Sequence, residues 1–170
     1  MFQKKAENAG SIAMGIEFLQ VKKVEEWRAY HAIRRHVLFD LRGLDGYDDT
    51  HPDEHAPGHM PLLLRKDGVA LGTVRLDLSE GTTGIVRLVA IMPEYQRQGL
   101  GRILMSEVER LSASRGLSRL EVYAAPDAVP FYEKLGWVMV DPGKISPLMA
   151  KEIESSDHGS GSGDGPRSPL

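Results

Sequence analysis

The stretch Arg87-Leu-Val-Ala-Ile-Met-Pro-Glu-Tyr-Gln-Arg-Gln-Gly-Leu-Gly-Arg102 carries most of the information about this chain. An apolar run stops at Pro93, which has no N–H for a strand ladder, and a glycine-containing turn precedes a helical pattern. Successive backbone N–H groups in such a turn point into one concavity, and the helix N-terminus adds its positive dipole. The stretch therefore predicts a strand, an anion-binding turn over 96–101 and a helix.

The residue types in this turn suit a diphosphate. Gly99 and Gly101 would let the backbone approach phosphate oxygens or adopt positive φ, and Arg97 and Arg102 would add cationic donors. The turn lacks the third glycine of a dinucleotide fingerprint and the Lys-Ser/Thr of a P-loop. A turn that serves packing alone is the alternative, and the flanking pattern disfavours it. The predicted diphosphate-binding residues are Gln96, Arg97, Gln98, Gly99, Leu100, Gly101 and Arg102.

Hydrophobic periodicity extends the interpretation to the rest of the chain. The first helix should be kinked or broken and should stop at Gly43, and Asp127 should cap the last one. The order β-α-β-β-β-α-β-α-β-β implies an α+β, three-layer fold with a mixed, mostly antiparallel sheet and helices on both faces. Strands are predicted over 16–22, 60–65, 69–78, 85–92, 117–124, 137–140 and 148–153, and helices over 24–41, 100–116 and 128–135.

The composition is that of one ordinary globular domain. The 170 residues are 41% hydrophobic and contain no cysteine, which excludes disulfides and an enzyme-bound thioester. A net charge of -3 disfavours a nucleic-acid partner and a polybasic membrane anchor. No run suits a signal peptide or a membrane span, so a cytoplasmic location is expected. We expect a domain over 1–154, ordered from about residue 15, and a flexible Gly/Ser-rich tail over 155–170.

Two motifs together resemble the GNAT acetyltransferase superfamily. The first is the family's Q/R-x-x-G-x-G/A element at 96–101, which follows the strand 88–93. The second is Val129-Pro-Phe-Tyr-Glu-Lys-Leu-Gly-Trp137, which is similar to the family segment F/L-Y-E-K-L-G-F. The resemblance covers residues 60–140 by sequence and the N-terminal third only by its order of elements. It implies the acyl-CoA N-acyltransferase fold and an N-acetyltransferase with acetyl-CoA as cosubstrate.

The resemblance also implies where the acetyl donor binds. A bulge should splay the strand before the turn from its neighbour, so that pantetheine lies along Val89, Ala90 and Ile91 and pairs with the backbone of Val89 and Ile91. The N–H of Val89 should stabilise the oxyanion, and Tyr132 should lie near the sulfur and protonate the departing thiolate. Spacing alone would make Tyr132 a core residue of an amphipathic helix. No metal is expected.

The general base does not follow from the resemblance. Many relatives carry a glutamate on the strand before the turn, whereas 85–91 here contains no carboxylate. An unperturbed histidine titrates near neutrality, so a histidine base is chemically reasonable, and water is the remaining option. Relatives also often have an asparagine where Ala125-Pro126-Asp127 stands, which removes one expected coenzyme A contact. The candidate bases are Asp77, His51, Asp53, Glu54, His55 and His59.

The long segment over 44–58, together with the residue that follows it, carries two further patterns. His51, His55 and His59 recur every four residues, but the prolines between them oppose the helix that a zinc site of this spacing needs. An acidic cluster in the same segment would attract a cationic amine, or would simply be hydrated. This cluster consists of Asp45, Asp48, Asp49, Asp53 and Glu54.

These observations predict direct acetyl transfer to a primary amine. A closed pocket beneath the 44–59 segment would favour a small-molecule amine, whereas an open groove would favour a protein N-terminus or lysine. A coenzyme A-binding sensor without turnover is the alternative of a different class. No nucleic-acid or membrane partner is expected, and edge strands near the C-terminus would suit a homodimer.

Overall fold

Seven strands form one sheet, and helices pack on both of its faces. The computed structural model describes residues 15–155. In chain order the elements are β1 (Ile16–Gln20), α1 (Val24–Arg34), β2 (His59–Lys66), β3 (Val69–Leu78), β4 (Thr83–Ile91), α2 (Leu100–Ser114), β5 (Arg119–Tyr123), α3 (Val129–Lys134), β6 (Val138–Asp141) and β7 (Leu148–Glu152). The strands lie in the order β1-β2-β3-β4-β5-β7-β6.

The predicted order of elements and the mixed sheet are confirmed. Every neighbouring pair of strands is antiparallel except β4 and β5, which are parallel. A parallel pair needs a crossover, and α2 provides it on one face of the sheet. The tail predicted over 155–170 lies outside the described residues, apart from Ser155.

The first predicted helix is broken, as its sequence pattern indicated. α1 ends at Arg34, a π-helical turn covers Arg35–Phe39, and a 3-10 turn covers Asp40–Arg42. Gly43 ends the segment with a φ of 67°, which glycine adopts without steric cost. The break brings Phe39 to the wall of a cleft that forms part of the candidate site.

The prediction that Asp127 caps α3 is wrong. Asp127 lies inside a 3-10 turn, Pro126–Ala128, and Ala128 occupies the cap position without a side-chain hydrogen bond. Pro130 stands in the first turn of α3 and has no N–H, so one of the amides that a capping side chain would satisfy is missing there.

Two apolar clusters hold the helices on the sheet. On one face α2 buries Leu104, Met105 and Val108, each with 0% of its surface exposed. Each such side chain contributes roughly 1.5–3 kcal/mol of burial free energy. On the other face α1 packs Tyr30 and Ile33 in a separate cluster with residues of β2 and β4.

The sheet opens between β4 and β5. The parallel ladder joins Thr83–Val86 to Arg119–Val122 and then stops, so within residues 15–155 the rest of β4 has no strand partner on that side. On its other side, the register with β3 passes from Arg75↔Arg87 to Thr73↔Ala90, which leaves one extra residue in β4. Leu88 absorbs it with a φ of 56°. The predicted bulge and splayed strand are therefore confirmed.

Candidate active site

The backbone of β4 presents amide groups to the opening in the sheet. Met92 N–H donates to the Leu71 carbonyl at 2.9 Å, so the N–H group of Met92 points toward β3. Because backbone groups alternate along a strand, the N–H groups of Ile91 and Val89 point away from β3 and toward the gap. The Ile91 carbonyl accepts a bond from Gln96 Nε2 at 3.0 Å. The gap is thus an open sheet edge to which an extended chain with amide groups can bond.

The turn after β4 carries a run of unpaired amides. Ile103 N–H is the first to close a helical bond, to the Gly99 carbonyl at 3.1 Å. Within the described part of the chain, the N–H groups of residues 97–102 have no backbone or side-chain acceptor. Arg97 and Gly99 have φ values of 62° and 77°, a local backbone that directs neighbouring amides into one concavity. The turn is therefore built to receive an anion.

The two turn glycines have different roles. Gly99 has a positive φ, and a Cβ there would meet nothing within 4 Å, which leaves its outer side open. Gly101 was expected to leave room for phosphate, but a Cβ at this position would lie 3.1 Å from Cε2 of Phe131. The absence of a side chain at Gly101 therefore allows α3 to pack on α2, and the role of this glycine at the diphosphate stays a prediction.

The remaining turn residues divide into anchors and exposed cations. Leu100 is buried and fixes the start of α2 in the core. Gln98 Nε2 donates to the Glu94 carbonyl at 3.2 Å, so this side chain, like that of Gln96, braces the turn. Arg97 and Arg102 are exposed, in keeping with guanidinium groups at the rim of an anion site.

Tyr132 lies on α3 with its ring in the core. It is 4% exposed and meets Phe131 and Trp137 edge to face, at centroid distances of 5.1 and 5.5 Å. Burial raises the pKa of its phenol to about 12, so the group keeps its proton across the neutral range. Its hydroxyl has no hydrogen-bond partner within residues 15–155. A protonated phenol without an internal acceptor can donate to a ligand.

A cleft of about 420 Å³ opens at the bulge of β4. Its floor includes Val86, Arg87 and Leu88, and Tyr123 lines it from the end of β5. The opposite boundary comes from residues 46–54 and from the broken end of the first helix. The cleft therefore joins the gap between β4 and β5 to the 44–58 segment, which carries the acidic cluster.

One aromatic contact fixes the segment that forms the cleft wall. Tyr47 lies on this wall, and its hydroxyl is 2.6 Å from His31 Nδ1. Burial, together with the nearby Arg34 charge, lowers the pKa of His31, and burial raises the pKa of Tyr47 to about 12. The neutral imidazole and the protonated phenol therefore share one hydrogen bond, whose direction is set by the imidazole tautomer. The wall is attached to α1 rather than free in solvent.

A buried ion network lies beneath the cleft. Glu54 is bonded to Arg34, to Arg75 Nη1 at 3.2 Å and to the Tyr30 hydroxyl at 3.1 Å. Asp77 receives two bonds from Arg75, at 2.7 and 3.0 Å. Although burial alone would lower it, the pKa of Arg75 is raised, because Asp77 and Glu54 stabilise its charge. The network links α1, the 44–58 segment and β3.

Two of the candidate bases, Glu54 and Asp77, belong to this network, and each is bonded to two arginines. Glu54 is held by two guanidinium groups, and Asp77 is held by Arg75 and by Arg87 Nε at 2.8 Å.

Of the three histidine candidates, His51 lines the cleft, whereas His55 and His59 do not. His51 Nδ1 accepts the Asp53 N–H at 3.2 Å, and His55 packs on Trp27 at a centroid distance of 4.7 Å. His59 Nδ1 lies 2.5 Å from the Asp53 carbonyl oxygen, and its Nε2 faces Asp77 at 3.6 Å. Among residues 15–155, no three His, Cys, Asp or Glu side chains form a group that could hold a metal ion. Asp53 itself is exposed on the cleft wall.

Substitution of Glu54 by glutamine should destabilise the protein by about 3–5 kcal/mol, because it leaves two buried guanidinium groups short of one negative charge. The Glu54 side chain is only 4% exposed. Chemical denaturation measures the change in free energy of unfolding.

The matched control is Glu17→Gln, which breaks an ion pair with Arg65 at a carboxylate that is 49% exposed. This variant should lose at most about 1 kcal/mol. Equal losses in the two variants would show that the Glu54 network does not hold the wall.

Sequence analysis missed three arginines of this network, Arg34, Arg75 and Arg87. A signal existed for one of them, since Arg75 and Asp77 alternate within the otherwise apolar β3. Charged residues at alternate positions of a buried strand must find partners on one face. Nothing local in the sequence identifies Arg34, which reaches Glu54 across 20 residues of chain.

No described helix has both the length and the apolar character needed to cross a membrane, in the part of the chain from 15 to 155. The longest of them, α2, has 15 residues, and one face of it is polar.

Comparisons with known proteins agree with this geometry. The sequence profile of the Acetyltransferase (GNAT) family matches residues 24–137. A candidate acetyltransferase of Bacillus subtilis (strain 168) is 29% identical over 154 residues, which cover 81% of this chain and 99% of that protein.

Two solved structures share the fold. A candidate N-acetyltransferase of Lactobacillus plantarum has a TM-score of 0.71 at 19% identity, covering 82% of this chain and 99% of that one. The PaiA N-acetyltransferase of Thermoplasma acidophilum, in complex with coenzyme A, has a TM-score of 0.70 at 17% identity, covering 82% of this chain and 100% of that one. The profile match spans well over half of the sequence, and the chain therefore belongs to the GNAT family of N-acetyltransferases.

Proposed function

We propose that this protein transfers the acetyl group of acetyl-CoA directly to the primary amine of a small molecule. The observation that carries the proposal is the opening between β4 and β5, which has unpaired turn amides after the end of β4 and a cleft at the bulge. Acetyl-CoA needs a diphosphate site and an open strand edge. The acceptor amine needs a cleft that reaches the same strand edge.

The donor would bind along β4. Amides of the 96–101 turn and of Arg102 would hold its diphosphate, and Arg97 and Arg102 would add charge at the rim. The pantetheine arm would pair with Val89 and Ile91, and Ala90, which is buried between them, would keep the strand on the sheet. The solved complex of the Thermoplasma acidophilum enzyme with coenzyme A supports a ligand of this class.

The acceptor would bind in the cleft. Its volume of about 420 Å³ falls in the range of small-molecule sites. The wall formed by residues 46–54 favours a small amine over a protein chain, which needs an open groove. Asp48 and Asp53 are exposed on this wall and would attract the ammonium form of an amine.

The chain's own groups then assist a direct displacement. The nitrogen lone pair attacks the thioester carbonyl carbon, and the Val89 N–H donates to the oxyanion that forms. As the C–S bond breaks, Tyr132 donates its proton to the sulfur, and solvent returns a proton to the phenol. The products are the N-acetyl amide and coenzyme A thiol. The attacking nitrogen loses one proton as the tetrahedral intermediate collapses, which balances the proton that solvent returns to the phenol, and an amine that enters as ammonium loses a further proton before it attacks. Water accepts these protons in the proposed mechanism.

Acetyl transfer to a panel of amines tests the proposal. Purified protein should convert labelled acetyl-CoA and at least one small primary amine to an N-acetyl product and free thiol. Binding of coenzyme A without product from any amine would contradict it and favour a sensor. Modification of peptides alone would favour a protein acetyltransferase.

The proposal assigns this activity to a single domain over 1–154, in the cytoplasm, without a nucleic-acid or membrane partner. It also includes a homodimer. β6 lies at one edge of the sheet, and Val138, Met139 and Val140 are 63%, 46% and 50% exposed. Exposed apolar edge strands pair readily with a second copy. A monomer mass in sedimentation at micromolar concentration would contradict this part.

A further inference from the structure

The floor of the cleft holds more positive than negative charge. Arg34, Arg75 and Arg87 line it, and the carboxylates bonded to them are those of Glu54 and Asp77. Three guanidinium groups therefore face two carboxylates. Arg34 and Arg75 are at least nine-tenths buried and have Glu54, Asp77 or both as partners.

The surplus charge lies on Arg87. Its side chain is 40% exposed, the largest fraction among the three arginines. Its Nε donates to Asp77 at 2.8 Å, which fixes the plane of the guanidinium group. Its two terminal amino groups have no partner within residues 15–155. A half-exposed guanidinium with free N–H groups on one edge suits a carboxylate, which it can bind through two parallel hydrogen bonds.

Arg87 is also adjacent to the reacting position. It directly precedes the bulge residue Leu88, which is followed by the proposed oxyanion donor Val89. In an α-amino acid one carbon separates the amine from the carboxylate. A carboxylate held by Arg87 would therefore keep the amine beside the bulge.

The acids of the cleft wall do not oppose this arrangement strongly. Asp48 and Asp53 are exposed, and Asp48 already accepts bonds from the N–H and hydroxyl of Thr50, at 2.8 and 2.7 Å. Solvent and salt screen Asp53, whose side chain is 58% exposed, more than Arg87, whose side chain is 40% exposed. Acids at the wall and a cation at the floor together suit a zwitterion.

We propose that the acceptor is a free α-amino acid whose carboxylate is bound by the terminal amino groups of Arg87. This inference rests on the proposed function and adds the substrate class. The carboxylate is not consumed, so its role is to hold the amine, and Arg87 is a specificity-determining residue.

The test compares each common amino acid with its own α-carboxamide, which keeps the shape and removes the charge. The amine of the carboxamide is less basic, so a larger fraction of it is unprotonated at neutral pH and chemistry alone would favour the carboxamide. The wild-type protein should nevertheless show a kcat/KM for the best amino acid that exceeds that of its carboxamide by roughly tenfold or more, the usual effect of a charge-assisted bond.

Variants of Arg87 then locate the preference. Arg87→Gln should bring the ratio close to one, mainly through the KM of the amino acid, while the KM of acetyl-CoA stays unchanged. Arg87→Lys keeps the charge and should retain part of the ratio. Arg65→Gln, which alters an ion-paired arginine outside the cleft, should leave the ratio as in the wild type.

Equilibrium binding of the same compounds, with coenzyme A present, separates the two proposals. If the protein binds the amino acid better than its carboxamide, and Arg87→Gln loses this preference, the inference is supported even when no product forms. The missing product would then contradict the proposed function alone. Acetylation of amines with a ratio that is near one, or unchanged in Arg87→Gln, would overturn the inference and leave the proposed function intact. Absence of both binding and product would overturn both.

Discussion

Replacement of Gly99 by glutamate should abolish coenzyme A binding, with a loss in affinity of about 100-fold or more, because a carboxylate at this turn faces the diphosphate with like charge. The turn amides have no internal acceptors, and a Cβ at Gly99 meets nothing within 4 Å, so the side chain fits without a clash. Isothermal titration with coenzyme A measures the effect.

The backbone at Gly99 needs its own control. Its φ of 77° makes any L-residue there strained by about 1–2 kcal/mol. Gly116, just beyond the other end of α2, has a φ of 79° and equally open surroundings. Gly116→Glu should therefore lose similar stability and still bind coenzyme A. If Gly99→Glu titrates like the wild type, the diphosphate does not bind at this turn.

Replacement of Tyr132 by phenylalanine should lower kcat by roughly 100-fold and leave the KM for acetyl-CoA nearly unchanged, as expected on loss of a general acid. The ring contacts with Phe131 and Trp137 remain in the variant, and the hydroxyl has no internal partner to lose among residues 15–155. The fold should therefore be as stable as that of the wild type. Steady-state kinetics and thermal unfolding measure the two quantities.

The raised pKa of Tyr132 determines how the effect of this substitution should depend on pH. With a pKa of about 12, the phenol stays protonated below that value and loses its proton only as pH rises toward it. The ratio of wild-type to variant kcat should therefore be constant between about pH 6 and 9. Tyr95→Phe, which removes a phenol near the turn, should have normal kcat. Unchanged turnover in Tyr132→Phe would remove this residue from the mechanism.

The strand, turn and helix around residue 96 could be predicted from sequence because their signals are local. Pro93 and Gly99 act on their own backbone and do not depend on distant contacts. Gly101 shows the limit of this reasoning. Its lack of a side chain matters because Phe131 packs there, and that contact joins residues 30 positions apart.

The bulge was expected only from the family resemblance, because leucine gives no sign of a left-handed backbone. Leu88 adopts a φ of 56° in a strand that has lost its neighbour on one side. Such a conformation costs about 1–3 kcal/mol and persists only where the surrounding structure imposes it. Sequence patterns report the local conformational preference of each residue. They cannot reveal a residue such as Leu88, whose backbone is held in a disfavoured conformation by the surrounding structure.

The ion network could not be predicted from the sequence for a different reason. The sequence suggests that Glu54 is a solvated acid or a base, but Arg34 and Arg75 enclose it from α1 and β3. The acidic cluster therefore presents fewer free carboxylates to the cleft than the sequence suggested. Pairing of distant charges depends on how α1 crosses the sheet, which the sequence order alone does not specify.

The most direct test is a crystal structure of the protein with coenzyme A. We expect the diphosphate within about 3 Å of backbone amides in the 97–102 run, and pantetheine between β4 and β5 bonded to Val89 and Ile91. Coenzyme A bound elsewhere, with these amides unchanged and the gap between β4 and β5 empty, would contradict the account.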